Sequence, residues 1–190
     1  MIFRNYLLEK IRLSAEELTL IESVVGVVKL KKKQYLMRQG DIWQHIAFVN
    51  RGFLKTFAID STGKEHIMSF APENYWTGDR ESLTNGTPTR FNIDAIENAE
   101  VVLIKKRDFE ILCQKIPQFN GLVNTILQKS FLVSQNRIYD NISLSAEDKY
   151  QNFLHNLPNI VNRIPQHMIA SYLGMTPETL TRIRRNSVRK

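Results

Sequence analysis

The chain has 190 residues, 43% of them hydrophobic, with a formal net charge of +7 and a pI of about 9.6. That length holds one large domain or two small ones around a packed core, and a positive excess of this size suits a polyanionic partner. A single cysteine, Cys113, excludes a disulfide within the chain, and no apolar run reaches the ~18 residues of a membrane-spanning helix.

Residues 1–25 read as helix. Arg4, Glu9, Lys10 and Arg12 break up the apolar positions, so the stretch lacks the apolar core of a secretory signal, and a soluble cytoplasmic protein is expected. Ser14 followed by Glu17 is a capping-box pattern, after which Leu18, Ile21 and Val25 repeat at helical spacing. From Val27 to about Lys106 short runs rich in Val, Ile, Phe and Thr alternate with turn signals such as RQGD (38–41), NRG (50–52) and DSTGK (60–64). The clearest strands are 53–60, 66–70, 91–96 and 99–104. Short strands at even spacing predict a closed or double-sheet structure of the jelly-roll kind.

Helical spacing returns after Asp108. A short helix runs to Pro117, and a long one follows over 117–140. Phe119, Leu122, Val123, Ile126, Leu127 and Val133 form a broad apolar stripe on it. Such a stripe must be covered by its own β domain, by a partner chain or by both; a dimer seam is the preferred reading. The pattern breaks at 141–144. Ser145, with Asp148 three residues on, then opens a helix over 146–156, and a domain boundary is expected near residue 142.

The segment 163–185, RIPQHMIASYLGMTPETLTRIRR, has the spacing of a helix-turn-helix. Pro165 suits a first helical turn, Ile169, Ala170 and Leu173 share a face, and Gly174 can take the left-handed conformation that ends a helix. Thr176 can cap the next helix, Pro177 suits its first position, and Leu180 and Ile183 face back to the first helix. Glu178, Thr179, Thr181, Arg182, Arg184 and Arg185 are left for the outer surface. Arg can reach guanine bidentately, Glu can accept from cytosine, and Thr can touch base edges or phosphates. Residues 143–190 carry seven Lys+Arg against three Asp+Glu, net +4, and five of the seven lie in the last nine residues. A plain helical hairpin with a solvated charged face remains the alternative, and the joint pattern favours DNA.

These residues resemble the Crp/Fnr family of bacterial transcription regulators through most of the chain. YLMRQGD (35–41) is similar to the family's strand and following turn, and IAFVNRGFLKTFAIDSTGKEHIMSF (46–70) to its next three strands. The segment 163–185 resembles its helix-turn-helix, with PQ before the first helix and TPE at the start of the second. The resemblance implies an α+β fold: an N-terminal β jelly roll of cyclic-nucleotide-binding type (1–116), a long dimerisation helix and hinge (117–142), and a C-terminal helix-turn-helix of winged-helix type (143–190) lacking most of the wing. It implies DNA contacts from Gln166, Thr176, Glu178, Thr179, Thr181, Arg182, Arg184 and Arg185, with Glu178 and Arg182 reading base edges. Pro177 departs from the version of the motif with a basic residue there, so the operator of the best-known member does not carry over.

In members that bind cyclic AMP, a Gly-Glu pair opens a short helix and an Arg followed by Ser or Thr grips the cyclic phosphate. The corresponding segment is 76–95, with an effector pocket expected around Gly78, Asp79, Arg80, Glu81, Ser82, Thr89 and Arg90. Alignment puts Thr89 where the Arg is needed. Arg90 is one residue off, which in a strand means the opposite face. A small-molecule effector other than cyclic AMP, or none, is therefore expected. One cysteine does not suit an iron–sulfur cluster, and His45, His66, His155 and His167 are too scattered to mark haem. With no His-x-His pair, no Walker loop and no Ser elbow, neither a metal nor an enzymatic activity is expected. The reading is a homodimeric, sequence-specific transcription regulator. Its partners would be double-stranded DNA, a second copy of the chain and RNA polymerase, with no membrane. A ligand-binding or protein-interaction module with a weakened DNA domain is the rival.

Overall fold

The computed structural model describes residues 2–187. Two short helices, α1 (Ile2–Lys10) and α2 (Ala15–Ser23), stand where one helical stretch is expected. The break is the capping box itself: Ser14 accepts from the Glu17 amide at 3.2 Å and donates its own amide to the Glu17 carboxylate at 2.7 Å, fixing a fresh helix start.

Eight strands follow: β1 (Val25–Leu30), β2 (Tyr35–Met37), β3 (His45–Arg51), β4 (Leu54–Ile59), β5 (Glu65–Ala71), β6 (Trp76–Thr77), β7 (Asn92–Ala95) and β8 (Ala99–Lys105). A short helix, α3 (Arg80–Asn85), interrupts them between β6 and β7. The strands form two antiparallel four-stranded sheets, β1-β8-β3-β6 and β2-β7-β4-β5, the expected jelly roll. Gly52 makes the β3–β4 turn possible. Its φ is +88°, and a Cβ there would overlap the Asn98 carbonyl and stand 2.7 Å from the Ala99 Cα.

The central strands of each sheet are covered on both faces, which explains why several of them read as nearly continuous apolar runs. Ala47, Val49 and Val101 point between the sheets, with Leu54, Ile93 and Ala95 opposite. Phe48, Val102 and Ile104 point the other way. They meet Phe3, Leu7 and Ile21 of the N-terminal helices, Leu112 of α4 (Lys106–Lys115), and Phe119 and Leu122 of α5 (Pro117–Ser143). On the second sheet, Phe53 next to the strand, Phe57 and Ile67 point outward, yet Phe53 and Phe57 are 0% exposed.

Their cover is the C-terminal helical unit: α6 (Ala146–Asn156), a 3-10 turn (Val161–Arg163), α7 (Gln166–Tyr172) and α8 (Pro177–Ser187). Tyr150, Phe153, Ile160, Ile169 and Leu180 share one hydrophobic cluster with the outer face of the roll. The break between α5 and α6 falls at Leu144, close to the expected boundary, but the two units do not have separate cores.

Two arginines pin the joint. The Arg163 guanidinium donates four bonds of 2.7–3.0 Å to Glu73 and Glu97 of the roll. Arg137 of α5 donates to the carbonyls of Met68, Ile67 and Tyr172, and lies 4.1 Å over the Tyr172 ring. Ser171 accepts from the Ile67 amide and donates to the Glu65 carbonyl, tying α7 to β5.

The α5 stripe needs correction as a dimer seam. Phe119 and Leu122 are buried in the chain's own roll, with Val123 and Ile126 packed beside them, because α4 turns α5 back onto the first sheet. Leu127 is half-buried. Only Val133 of the expected set stands clear, in company with Phe131, Leu132, Ile138, Tyr139 and Ile142 farther along the helix.

Candidate nucleic-acid interface and effector segment

The helix pair α7–α8 is built by local chemistry. Gly174 sits at φ +68°, and the Met175 amide reaches back to the Ala170 carbonyl at 3.0 Å, the closing bond of a Schellman turn. The Thr176 hydroxyl accepts the Thr179 amide at 3.2 Å, so α8 starts capped, with Pro177 at its first position. Pro165 is the residue before α7 and not within its first turn, because its ψ of 139° is extended.

Leu180 and Ile183 are buried against α7 and α6. The opposite face of α8 carries Glu178, Thr181, Arg182 and Arg185, at spacings of three, four and seven from Glu178, so they align along one side of the helix. With Pro177 and Asn186 they line a hollow of about 530 Å³. The free amide of its own residue and the Thr176 hydroxyl hold the Glu178 carboxyl below its ordinary range, so it is ionised at neutral pH. Thr181 donates its hydroxyl to the Pro177 carbonyl at 2.8 Å, which leaves its methyl and an acceptor lone pair outward. Thr176 and Thr179 share a hydroxyl contact at 3.2 Å. Arg184 is half-buried and does not line the hollow, whereas Asn186, absent from the sequence-based set, does. Helical spacing from Glu178 reaches Asn186 at the eighth position and was the signal available for it. Gln166 is exposed at the start of α7.

The effector segment is organised differently. Asp79 caps α3, accepting the Glu81 amide at 2.9 Å and the Thr89 hydroxyl at 2.6 Å. Ser82 accepts the Trp43 amide and donates to the Thr87 carbonyl. Gly78 packs against the Trp43 indole, where a Cβ would come within 2.7 Å of Nε1. Asp79, Ser82 and Thr89 are therefore buried and satisfied by one another and by neighbouring backbone. Arg90 points outward, 68% exposed, and pairs with the exposed Glu81 at 2.6 Å. Arg80 is also exposed. A cyclic phosphate needs a guanidinium facing the start of this helix, and the residues in that place, Asp79 and Thr89, do not fit it. Among the described residues no group of three or more His, Cys, Asp or Glu side chains gathers as a metal site, and no helix is long and apolar enough to cross a membrane.

Sequence reasoning missed Arg137 and Arg163, which look like any solvated arginine until the outer face of the second sheet is known to be covered. Apolar residues at both odd and even positions of FLKTF (53–57) were the available signal for that cover.

Comparison with known proteins agrees with the geometry. Residues 27–116 match the family model for the cyclic nucleotide-binding domain. Over 183 residues the chain is 26% identical to the regulatory protein HlyX of Actinobacillus pleuropneumoniae, covering 90% of this chain and 75% of HlyX. Among solved structures it is similar to FixK2 from Bradyrhizobium japonicum, with a TM-score of 0.74, 17% identity and coverage of 86% of this chain and 84% of that one. A transcriptional regulator of the Crp/Fnr family from Eubacterium rectale is also similar, with a TM-score of 0.72, 17% identity and coverage of 96% and 87%. In sheet order, long helix and capped helix pair the chain has the fold of these structures.

Proposed function

We propose that the chain is a sequence-specific, DNA-binding transcription regulator of the Crp/Fnr type that acts as a homodimer. The observation that carries this is the exposed face of α8, where Glu178, Thr181, Arg182 and Arg185 align on a helix whose opposite face is fully anchored by Leu180 and Ile183. An exposed helix of this kind fits the major groove, with its first turns at base edges and its Arg-rich end near phosphate. Arg182, exposed and one turn from Glu178, is the strongest base-reading candidate. Gln166, Thr176, Thr179, Arg184 and Arg185 serve the backbone and the helix start.

A dimer is supported by the uncovered apolar residues on the second half of α5, with Ile138, Tyr139 and Ile142 each at least 60% exposed. Two copies joined there would present two reading helices to half-sites about one helical turn apart. The cyclic nucleotide-binding domain supports a small-molecule effector. The Asp79–Thr89 bond and the outward Arg90 favour an effector other than cyclic AMP.

Selection of DNA from a random pool by the purified protein, followed by anisotropy across salt, tests the reading. A two-fold motif is expected, with Arg182→Ala weakening the preferred site by ~1–3 kcal/mol and relaxing preference at one base pair. Absence of any enriched motif, with cyclic AMP and without it, would refute sequence-specific binding.

A further inference from the structure

A second surface adjoins the reading face, and it rests on the DNA-binding reading above. Pro177 and Glu178 line the hollow on α8, and they also line a much larger groove, about 1,360 Å³, between the C-terminal unit and the roll. The two concavities therefore adjoin at the start of α8. On the roll side this groove carries Lys32 and Lys33 from the β1–β2 turn and Lys64 from the β4–β5 hairpin, all three exposed.

The charges within the groove separate into two groups. Its acids on the roll are already engaged: Glu65 and Asp94 lie at 2.5 and 3.7 Å from the buried Lys55, and Arg163 holds Glu97 at 2.7 Å and Glu73 at 2.8 Å. Lys32, Lys33 and Lys64 have no carboxylate within ion-pair distance among the described residues. The three exposed lysines are therefore the uncommitted cations of this rim. Backbone bonds fix the turn that carries two of the lysines: the Lys33 amide donates to the Ala95 carbonyl at 2.6 Å and the Lys32 amide to the Asn98 side chain at 2.9 Å.

A helix is about 10–12 Å across and fills the ~12 Å major groove. The phosphate strand beside such a helix runs along its flank. At the Pro177–Glu178 end, the start of α8 lines the same groove as the lysines of the roll.

We propose that Lys32, Lys33 and Lys64 form a DNA-backbone contact surface on the β roll, binding phosphates that flank the half-site read by α8. The roll thus takes part in DNA binding directly, as a sequence-independent clamp beside the sequence-reading helix. Phosphate contacts of this kind set affinity and orientation and carry no sequence information.

The test is the triple variant Lys32→Gln/Lys33→Gln/Lys64→Gln in the full chain, measured by anisotropy on the selected site and on random DNA over a salt series. The slope of log affinity against log salt should become shallower by about 0.9 for each phosphate that the variant no longer neutralises. Affinity should fall by a similar factor on both DNAs, the selected motif should stay the same, and the thermal midpoint should not move, because all three side chains are exposed. An unchanged slope, with wild-type selectivity intact, overturns this inference and leaves the regulator reading standing. An unchanged slope with loss of pyrophosphate binding in calorimetry assigns the rim to a small anion and equally overturns it. Wild-type protein that shows no salt-dependent DNA binding overturns both.

Discussion

Arg163→Ala should loosen the joint between the roll and the C-terminal unit, and its cost should depend on pH. The guanidinium makes four charge-assisted bonds, two to Glu73 and two to Glu97, and stands 5.0 Å over the Phe53 ring. Glu73 also accepts the Gly52 amide at 2.8 Å, so the same carboxylate holds the β3–β4 turn. Bonds to charged groups contribute roughly 1.5–3 kcal/mol each when removal leaves a buried partner unpaired. Here the arginine side chain is 29% exposed and the two carboxylates 32% and 38%, so water returns to all three on truncation. Solvent screening reduces the sum to about 3 kcal/mol for the cluster. For a chain of this size that corresponds to a thermal midpoint lower by roughly 6–12 °C.

Arg163 holds the Glu73 carboxyl below its ordinary 4.5, and burial opposes this only in part. The unfolded chain therefore takes up that proton at higher pH than the folded one. The associated stability is fully present above pH 4.5 and is lost as pH falls through the lower folded value. The gap between wild type and Arg163→Ala should be widest between about pH 6 and 8 and should narrow below about pH 4. Arg163→Lys should recover only part of it, because an ammonium cannot fork onto two carboxylates. Calorimetry across this range provides the check. A gap that is independent of pH, or that widens in acid, would refute the electrostatic account and leave only packing against Phe53.

Gly52→Ala should cost about 3 kcal/mol or more, since it combines a left-handed φ with overlap onto the Asn98 carbonyl; urea melts should show a lower midpoint at an unchanged slope. Ile138→Glu with Ile142→Glu should convert a dimer to a folded monomer in sedimentation, because both side chains are more than half exposed within one chain. Phe119→Ala should do the opposite, lowering stability by about 3–5 kcal/mol with association unchanged, because Phe119 is buried in its own roll.

What the sequence made legible was local. The Ser14–Glu17 box, the Ser145–Asp148 cap and the Gly174–Thr176–Pro177 turn each depend on residues within a few positions of one another, and each forms with the expected partners. The strands of the roll were legible because turn residues such as Gly52 and Gly63 bound short runs of β-forming side chains. The faces of α8 were legible for the same reason, since a helical period assigns Leu180 and Ile183 to one side and Arg182 to the other.

What escaped was the identity of the cover. Periodicity shows that α5 has an apolar stripe but not that Phe119 and Leu122 belong to the roll while Ile138 and Ile142 stay bare. The same limit applies to Phe53 and Phe57, whose cover begins nearly a hundred residues later at Tyr150 and Phe153. Arg137 and Arg163 follow from that cover. An arginine becomes a clasp only where carbonyls and carboxylates from another unit surround it, and neither its neighbours in sequence nor its spacing records that encounter. Sequence thus specifies which surfaces need a partner, and tertiary packing decides whether the partner lies in the same chain. For the roll's outer sheet and the first half of α5 it does, whereas the far half of α5, the exposed face of α8 and the lysine rim of the roll stay open to another molecule.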